Sequence, residues 1–154
     1  MPAASKEEYE LLVKQAEALT AGEDDWIANV ANVSALLFHA LKEVNFAGVY
    51  RFEKGELILG PFQGQPACVH IAMGQGVCGT AAKEEASQIV PDVHAFPGHI
   101  ACDSASNSEI VVPIRAEGRV VGVLDIDSPL VGRFTEEDRT GLEEFVRILE
   151  AEIW

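Results

Sequence analysis

Two apolar runs, Glu109–Ala116 and Arg119–Asp127, are joined by nothing more than Glu117 and Gly118. Parallel strands need a crossover of about a dozen residues, so a link this short leaves an antiparallel hairpin as the way to pair the two runs. An earlier stretch repeats the pattern. Phe46, Tyr50 and Phe52 fall on one face of a strand with Val49 on the other, a short turn follows at Glu53, Lys54 and Gly55, and the chain returns from Glu56 to Phe62 through Leu57, Ile58 and Leu59. Val69 to Met73 and Gln88 to Pro91 read as further short strands.

Helical periodicity flanks these strands. Tyr9, Leu12, Val13, Ala16 and Leu19 recur at steps of three and four within Lys6 to Leu19, as one helix face requires. Asp24 or Asp25 then offers an N-cap to a second helix, with a stripe through Trp26, Ile27, Val30, Val33, Leu37, Ala40, Leu41 and Val44. A short helix is expected from Gly74–Gly79 through Ala86. A terminal helix is opened by Thr135 and Asp138 as a capping pair, with Leu142, Phe145, Val146, Leu149 and Ile153 facing inward. The order predicts an α+β fold, one domain over residues 1–154, in which helices pack against an antiparallel sheet. Asp92 to Asn107 is polar, irregular and long for a loop inside a small domain, which marks it for function.

A chain of 154 residues, 48% hydrophobic, suffices for one core and is short for two ordinary domains. Eleven basic residues against twenty-five acidic give a net charge of -14, which repels a phosphate backbone and excludes nucleic acid as a partner. The apolar stretches stop well short of the roughly 20 residues that span a bilayer, and the acidic start lacks a secretory pattern. The expected setting is the cytoplasm, away from membranes. There, three cysteines do not make a closed disulfide framework; each thiol is catalytic, metal-bound or simply buried.

The residues with chemistry cluster late in the chain. Gly74, Gly76 and Gly79 satisfy the pattern GxGxxG, but the following helix is short and leads into an irregular loop instead of a parallel strand, so they are read as glycines easing a tight helix entry. Cys68, His70, Cys78, His94, His99 and Cys102 include no close CxxC pair and come from four segments, so no metal site is expected from them. Cys78, in the apolar run Val77 to Ala82, fits a buried thiol. Cys102 lies among Asp103, Ser104, Ser106, Asn107 and Ser108, a polar setting suited to a nucleophilic thiolate. Cys68 sits at the edge of a strand, and a disulfide to Cys102 requires the two Cα atoms to come within about 7 Å. In the run VGVLDID, Asp125 and Asp127 alternate on one face of a strand, either emerging into solvent or buried side by side. Glu109 enters the neighbouring strand, so three acids converge near the cysteine loop; they suit an ammonium-bearing ligand, and their crowding raises one pKa toward proton donation.

The runs GPFQG (Gly60 to Gly64), GVCGTA (Gly76 to Ala81), DVHAFPGHIACDSASNSEIVVPI (Asp92 to Ile114), and GVLDIDSP with GRFTEED (Gly122 to Asp138) resemble the free methionine-(R)-sulfoxide reductases, whose fold is a GAF domain. What that resemblance implies is specific. Cys102 matches the sulfoxide-attacking cysteine, Cys68 the resolving cysteine and Cys78 an auxiliary third. Glu109, Asp125 and Asp127 match substrate-binding carboxylates. Phe46 stands where the family often has a pocket tryptophan, and Pro66 beside Cys68 is a second departure. The implied reaction converts free L-methionine-(R)-sulfoxide to methionine through a sulfenic acid and an intramolecular disulfide recycled by thioredoxin, with no bound cofactor, in a homodimer. The rival expectation is a non-catalytic GAF module that senses a small molecule.

Overall fold

The computed structural model of the chain describes residues 4–99 and 105–152. Two helices come first, α1 (Lys6–Thr20) and α2 (Trp26–Ala40). Ser5 and Glu8 form a reciprocal capping box at the start of α1, and the Asp25 carboxylate accepts from the Ala28 N–H to cap α2. The apolar stripe through Val44 overstates α2. Leu41 already has extended backbone at φ -81°, ψ 130°, so Leu41 and Val44 pack on the core from the connecting turn.

The strands are β1 (Phe46–Glu53), β2 (Glu56–Gly64), β3 (His70–Ala72), β4 (Gln88–Val90), β5 (Ser108–Ala116) and β6 (Arg119–Ser128). They form one six-stranded sheet in the order β3-β2-β1-β6-β5-β4, and each neighbouring pair is antiparallel. Both hairpins read from the sequence are present, and the fold is the expected α+β arrangement of an antiparallel sheet with helices against it. The remaining helices are α3 (Gly76–Glu84), between β3 and β4, and α4 (Glu136–Glu152).

Strand alternation sorts the side chains into two cores. One face of the sheet contributes Ala47, Val49, Ile110, Val112, Ile114, Leu124 and Ile126, which pack with Leu12, Val33, Leu37, Leu142 and Phe145 of α1, α2 and α4. The other face contributes Phe46, Tyr50, Leu57, Val111 and Val123, covered by Val77, Cys78 and Ala81 of α3. The second face is the thinner one, roofed by a nine-residue helix and loops, and it carries the acids.

The glycines of the GxGxxG run serve the entry of α3, as the sequence reading held. Gly74 and Gly76 take positive φ, 84° and 61°. A Cβ at Gly79 would collide with the Ala72 carbonyl oxygen, so glycine there lets α3 seat against the end of β3.

Thr135 and Asp138 do form the cap of α4, with the Thr135 N–H donating to Asp138 Oδ2 at 2.9 Å. No helix among the described residues is long and apolar enough to cross a membrane. Ile153, assigned above to the inner face of α4, lies outside the described residues.

Candidate active site

Register places the acids. Glu109 on β5 sits opposite Asp127 on β6, Val111 sits opposite Asp125, and β1 sets Phe46 opposite Asp127 and Gly48 opposite Asp125. Directly paired residues share a face, so Glu109, Asp125, Asp127 and Phe46 all project toward α3. A Cβ at Gly48 would run into Phe62; its absence lets Phe62 close on Phe46, with rings stacked at 5.1 Å and an interplanar angle of 17°.

Phe46, Glu109, Asp125 and Asp127 line a cavity of about 50 Å³ together with Tyr50, Cys78, Val93, His99 and Ser106. Of the two alternatives left open for this strand end, burial is the one found: Asp125 is only 5% exposed. Glu109 and Asp127 are half-buried residues at the wall. The Cys78 thiol donates to Glu109 Oε2 at 3.8 Å, and Ser106 Oγ donates to Asp127 Oδ2 at 3.1 Å while accepting from Asn45 Nδ2 at 3.2 Å. Asp125 Oδ1 and Asp127 Oδ1 are buried yet have no hydrogen-bond partner among the described residues. Buried carboxylate oxygens are nearly always satisfied, so two unmatched acceptors at one cavity ask for a donor that the described residues do not supply.

Electrostatics follow from the crowding. Burial drives the Glu109 carboxyl well above the ordinary carboxylate range, and Asp125 and then Asp127 push it further. Asp127 is raised in the same way, by burial first and Asp125 next. Burial also raises Asp125, against hydrogen bonds from Glu109, Asp127 and Cys78 that pull it back. Three such groups do not all carry charge at neutral pH; the cluster keeps a proton in reserve. Cys78 is pushed up as well, by burial and then by Asp125, so it stays a thiol and is poorly suited to be the attacking sulfur.

Of the other cysteines, Cys68 is disulfide-bonded. It lies half-buried on the loop between β2 and β3, where its carbonyl accepts from the Tyr50 hydroxyl at 2.8 Å. Cys102, with Asp103 and Ser104, lies outside the described residues. The loop that begins at Asp92 reaches over the cavity as far as it is described: Val93 and His99 line the space, and the Gly98 carbonyl accepts from the Gly76 N–H at 3.1 Å. Burial and then the neighbouring His94 lower the His99 pKa; the two rings meet edge to face at 5.6 Å. Ile100, further along the same loop, lies outside the described residues.

The structure thus brings Phe46, Cys78, Glu109, Asp125 and Asp127 to one cavity and sets Cys68 beside it through Tyr50. His70 is elsewhere, exposed and 3.2 Å from Glu56. Tyr50 escaped the sequence reading as a site residue, although its parity with Phe46 on β1 was the available signal. Ser106 was read only as part of a polar loop, because its pairing with Asp127 spans two segments.

The GAF domain family matches residues 28–151. The chain is 53% identical over 142 residues to the free methionine-R-sulfoxide reductase of Escherichia coli, covering 92% of this chain and 86% of that one. Among solved structures, fRMsr of Staphylococcus aureus in complex with substrate superposes with a TM-score of 0.91 at 51% identity, covering 100% of this chain and 98% of that one. The free methionine-R-sulfoxide reductase of Neisseria meningitidis in complex with its substrate gives a TM-score of 0.92 at 43% identity, over 99% and 93% of the two chains.

Proposed function

Because this chain belongs to the free methionine-R-sulfoxide reductases of the GAF family and is an oxidoreductase, we propose that its whole length, residues 1–154, acts as one domain that reduces free L-methionine-(R)-sulfoxide to L-methionine. The observation that carries the reading is the set of three acids with two unmatched buried oxygens, at Asp125 and Asp127, facing a small cavity. An amino-acid ammonium supplies the missing donors and the missing positive charge together. Phe46, stacked on Phe62, offers the apolar wall for the methyl-bearing end.

Chemistry proceeds through sulfur. The Cys102 thiolate attacks the sulfoxide sulfur while a protonated member of the Glu109, Asp125 and Asp127 set gives its proton to the sulfoxide oxygen. Oxygen passes to Cys102 as a sulfenic acid and methionine departs. The Cys68 thiol then displaces that oxygen as water and leaves a Cys68–Cys102 disulfide. Two features support this division of labour: Cys78 is a free, raised thiol, whereas Cys68 is disulfide-bonded. Thioredoxin restores both thiols by exchange, so the cycle needs a protein reductant and no bound cofactor. The reductase works in the cytoplasm as a homodimer in this proposal.

The test is a pair of variants. Cys102→Ser should release no methionine. The double variant Cys68→Ser with Cys78→Ser should release about one methionine per chain and then stop, since it retains the attacking sulfur and no thiol to resolve it. Sustained thioredoxin-driven turnover by the double variant would overturn the resolving role of Cys68.

A further inference from the structure

The same cavity holds a combination of ligands that the sulfoxide reaction does not require. Cys78 Sγ and one carboxylate oxygen each from Glu109 and Asp125 all lie within 4.8 Å of one another, and Cys78 and Asp125 are buried. The Sγ to Glu109 Oε2 separation is 3.8 Å. Bond lengths of about 2.3 Å to sulfur and about 2.1 Å to oxygen put tetrahedral neighbours about 3.6 Å apart around a zinc ion, so little movement separates this thiol and carboxylate from coordination. Asp125 is the second, independent observation: it is 5% exposed, it lines the cavity, and its Oδ1 has no hydrogen-bond partner among the described residues.

We propose that Cys78, Glu109 and Asp125 form a site for a borderline divalent cation of the Zn²⁺ type, which excludes the amino-acid substrate when it is occupied. The donor set decides the class of metal. One sulfur with two carboxylates suits Zn²⁺ or Co²⁺, whereas Ca²⁺ and Mg²⁺ prefer oxygen alone. Coordination forms a metal–sulfur bond and releases the thiol proton to solvent, and the ion brings two positive charges to a pocket that otherwise crowds like charges. Because the ion uses the carboxylates assigned to the ammonium, metal and sulfoxide compete; that competition rests on the proposed function, while metal binding does not. The fold therefore carries an inhibitory metal switch in its active site, with Cys78 as the residue that confers it.

The test uses the full chain carrying Cys68→Ser and Cys102→Ser, so that Cys78 is the one remaining thiol, with Co²⁺ as the probe and Zn²⁺ as its displacer. The expected result is one Co²⁺ per chain with a thiolate-to-cobalt charge-transfer band that Zn²⁺ removes. Adding Cys78→Ser should abolish the band. Adding Asp125→Asn or Glu109→Gln in its place should weaken binding at least about tenfold, equivalent to about 1.4 kcal/mol, and these two variants carry the test where the Cys78 change impairs folding. Absence of the band from the starting variant, or a band indifferent to both carboxylate changes, would overturn the site. A band that persists under saturating free methionine-(R)-sulfoxide would overturn the competition. The reductase reading stands or falls separately, on methionine release by the metal-free chain.

Discussion

Two polar clusters are buried on opposite faces of the same sheet, one complete and the other not. Among the helices, Asp138 uses both oxygens: Oδ1 accepts from the Tyr9 hydroxyl at 2.6 Å, and Oδ2 accepts from Arg133 Nη1 at 3.3 Å and from the Thr135 N–H at 2.9 Å. Arg133 is satisfied in turn, its Nε donating to the Lys42 carbonyl at 2.9 Å. Charges cancel and donors match acceptors. Under α3, by contrast, Glu109, Asp125 and Asp127 share one sign, face a free thiol and leave two oxygens unmatched among the described residues. Burial of polar groups is tolerated in both places, but among the described residues only the first cluster finds all its partners. The difference separates a cluster that holds the fold from one held by the fold for something else.

The sharpest way to break this contrast is Asp138→Ala, which strands a guanidinium that is almost fully buried. It should cost about 3–5 kcal/mol in urea denaturation and leave substrate affinity of the folded fraction unchanged. A loss below about 1 kcal/mol would remove the distinction between the clusters.

Asp125→Asn should behave in the opposite sense, lowering kcat/KM by about a hundredfold, or about 2.7 kcal/mol, while stability is kept or raised. The sign follows from linkage. Glu109, Asp125 and Asp127 have folded pKa values above their unfolded ones. Their contribution to stability is therefore fully present below the ordinary carboxylate range and is lost as pH rises through the raised values. Removing one acid relieves that loss, so the variant should gain on the parent in urea unfolding as pH rises above the ordinary carboxylate range. A variant less stable than the parent there would contradict the assignment of unrelieved like charge. The smallest expected effect is that of Ser106→Ala, which removes the donor to Asp127 Oδ2. It should raise KM up to about tenfold, about 1.4 kcal/mol, with kcat nearly unchanged; a fall in kcat alone would place Ser106 in the chemical step.

Much of this was legible in the residues. Two-residue and three-residue links between apolar runs declare both hairpins, and alternation in VGVLDID puts Asp125 and Asp127 on one face. Alternation does not say which face is covered, so solvent and cavity stayed equal until α3 was seen to roof the acids. The Arg133–Asp138–Tyr9 cluster was invisible for another reason. Tyr9 and Asp138 are 129 residues apart, and Asp138 looked sufficient as a helix cap. The end of α2 was overrun because Leu41 and Val44 keep the helical spacing while packing from a turn. Cys78 was the most ambiguous position: its apolar neighbours are those of a buried thiol, which it is, and only the register of β5 brings Glu109 to it.

The central claim, that this incomplete cluster serves thiol chemistry on a free amino-acid sulfoxide, is tested most directly by counting thiols. The fully reduced chain, with its three cysteines, is mixed with excess free L-methionine-(R)-sulfoxide and no reductant, and thiols and methionine are measured together. The account predicts the loss of two thiols and the release of one methionine per chain. Three thiols persisting with no methionine formed would contradict it and leave a pocket that binds without reacting.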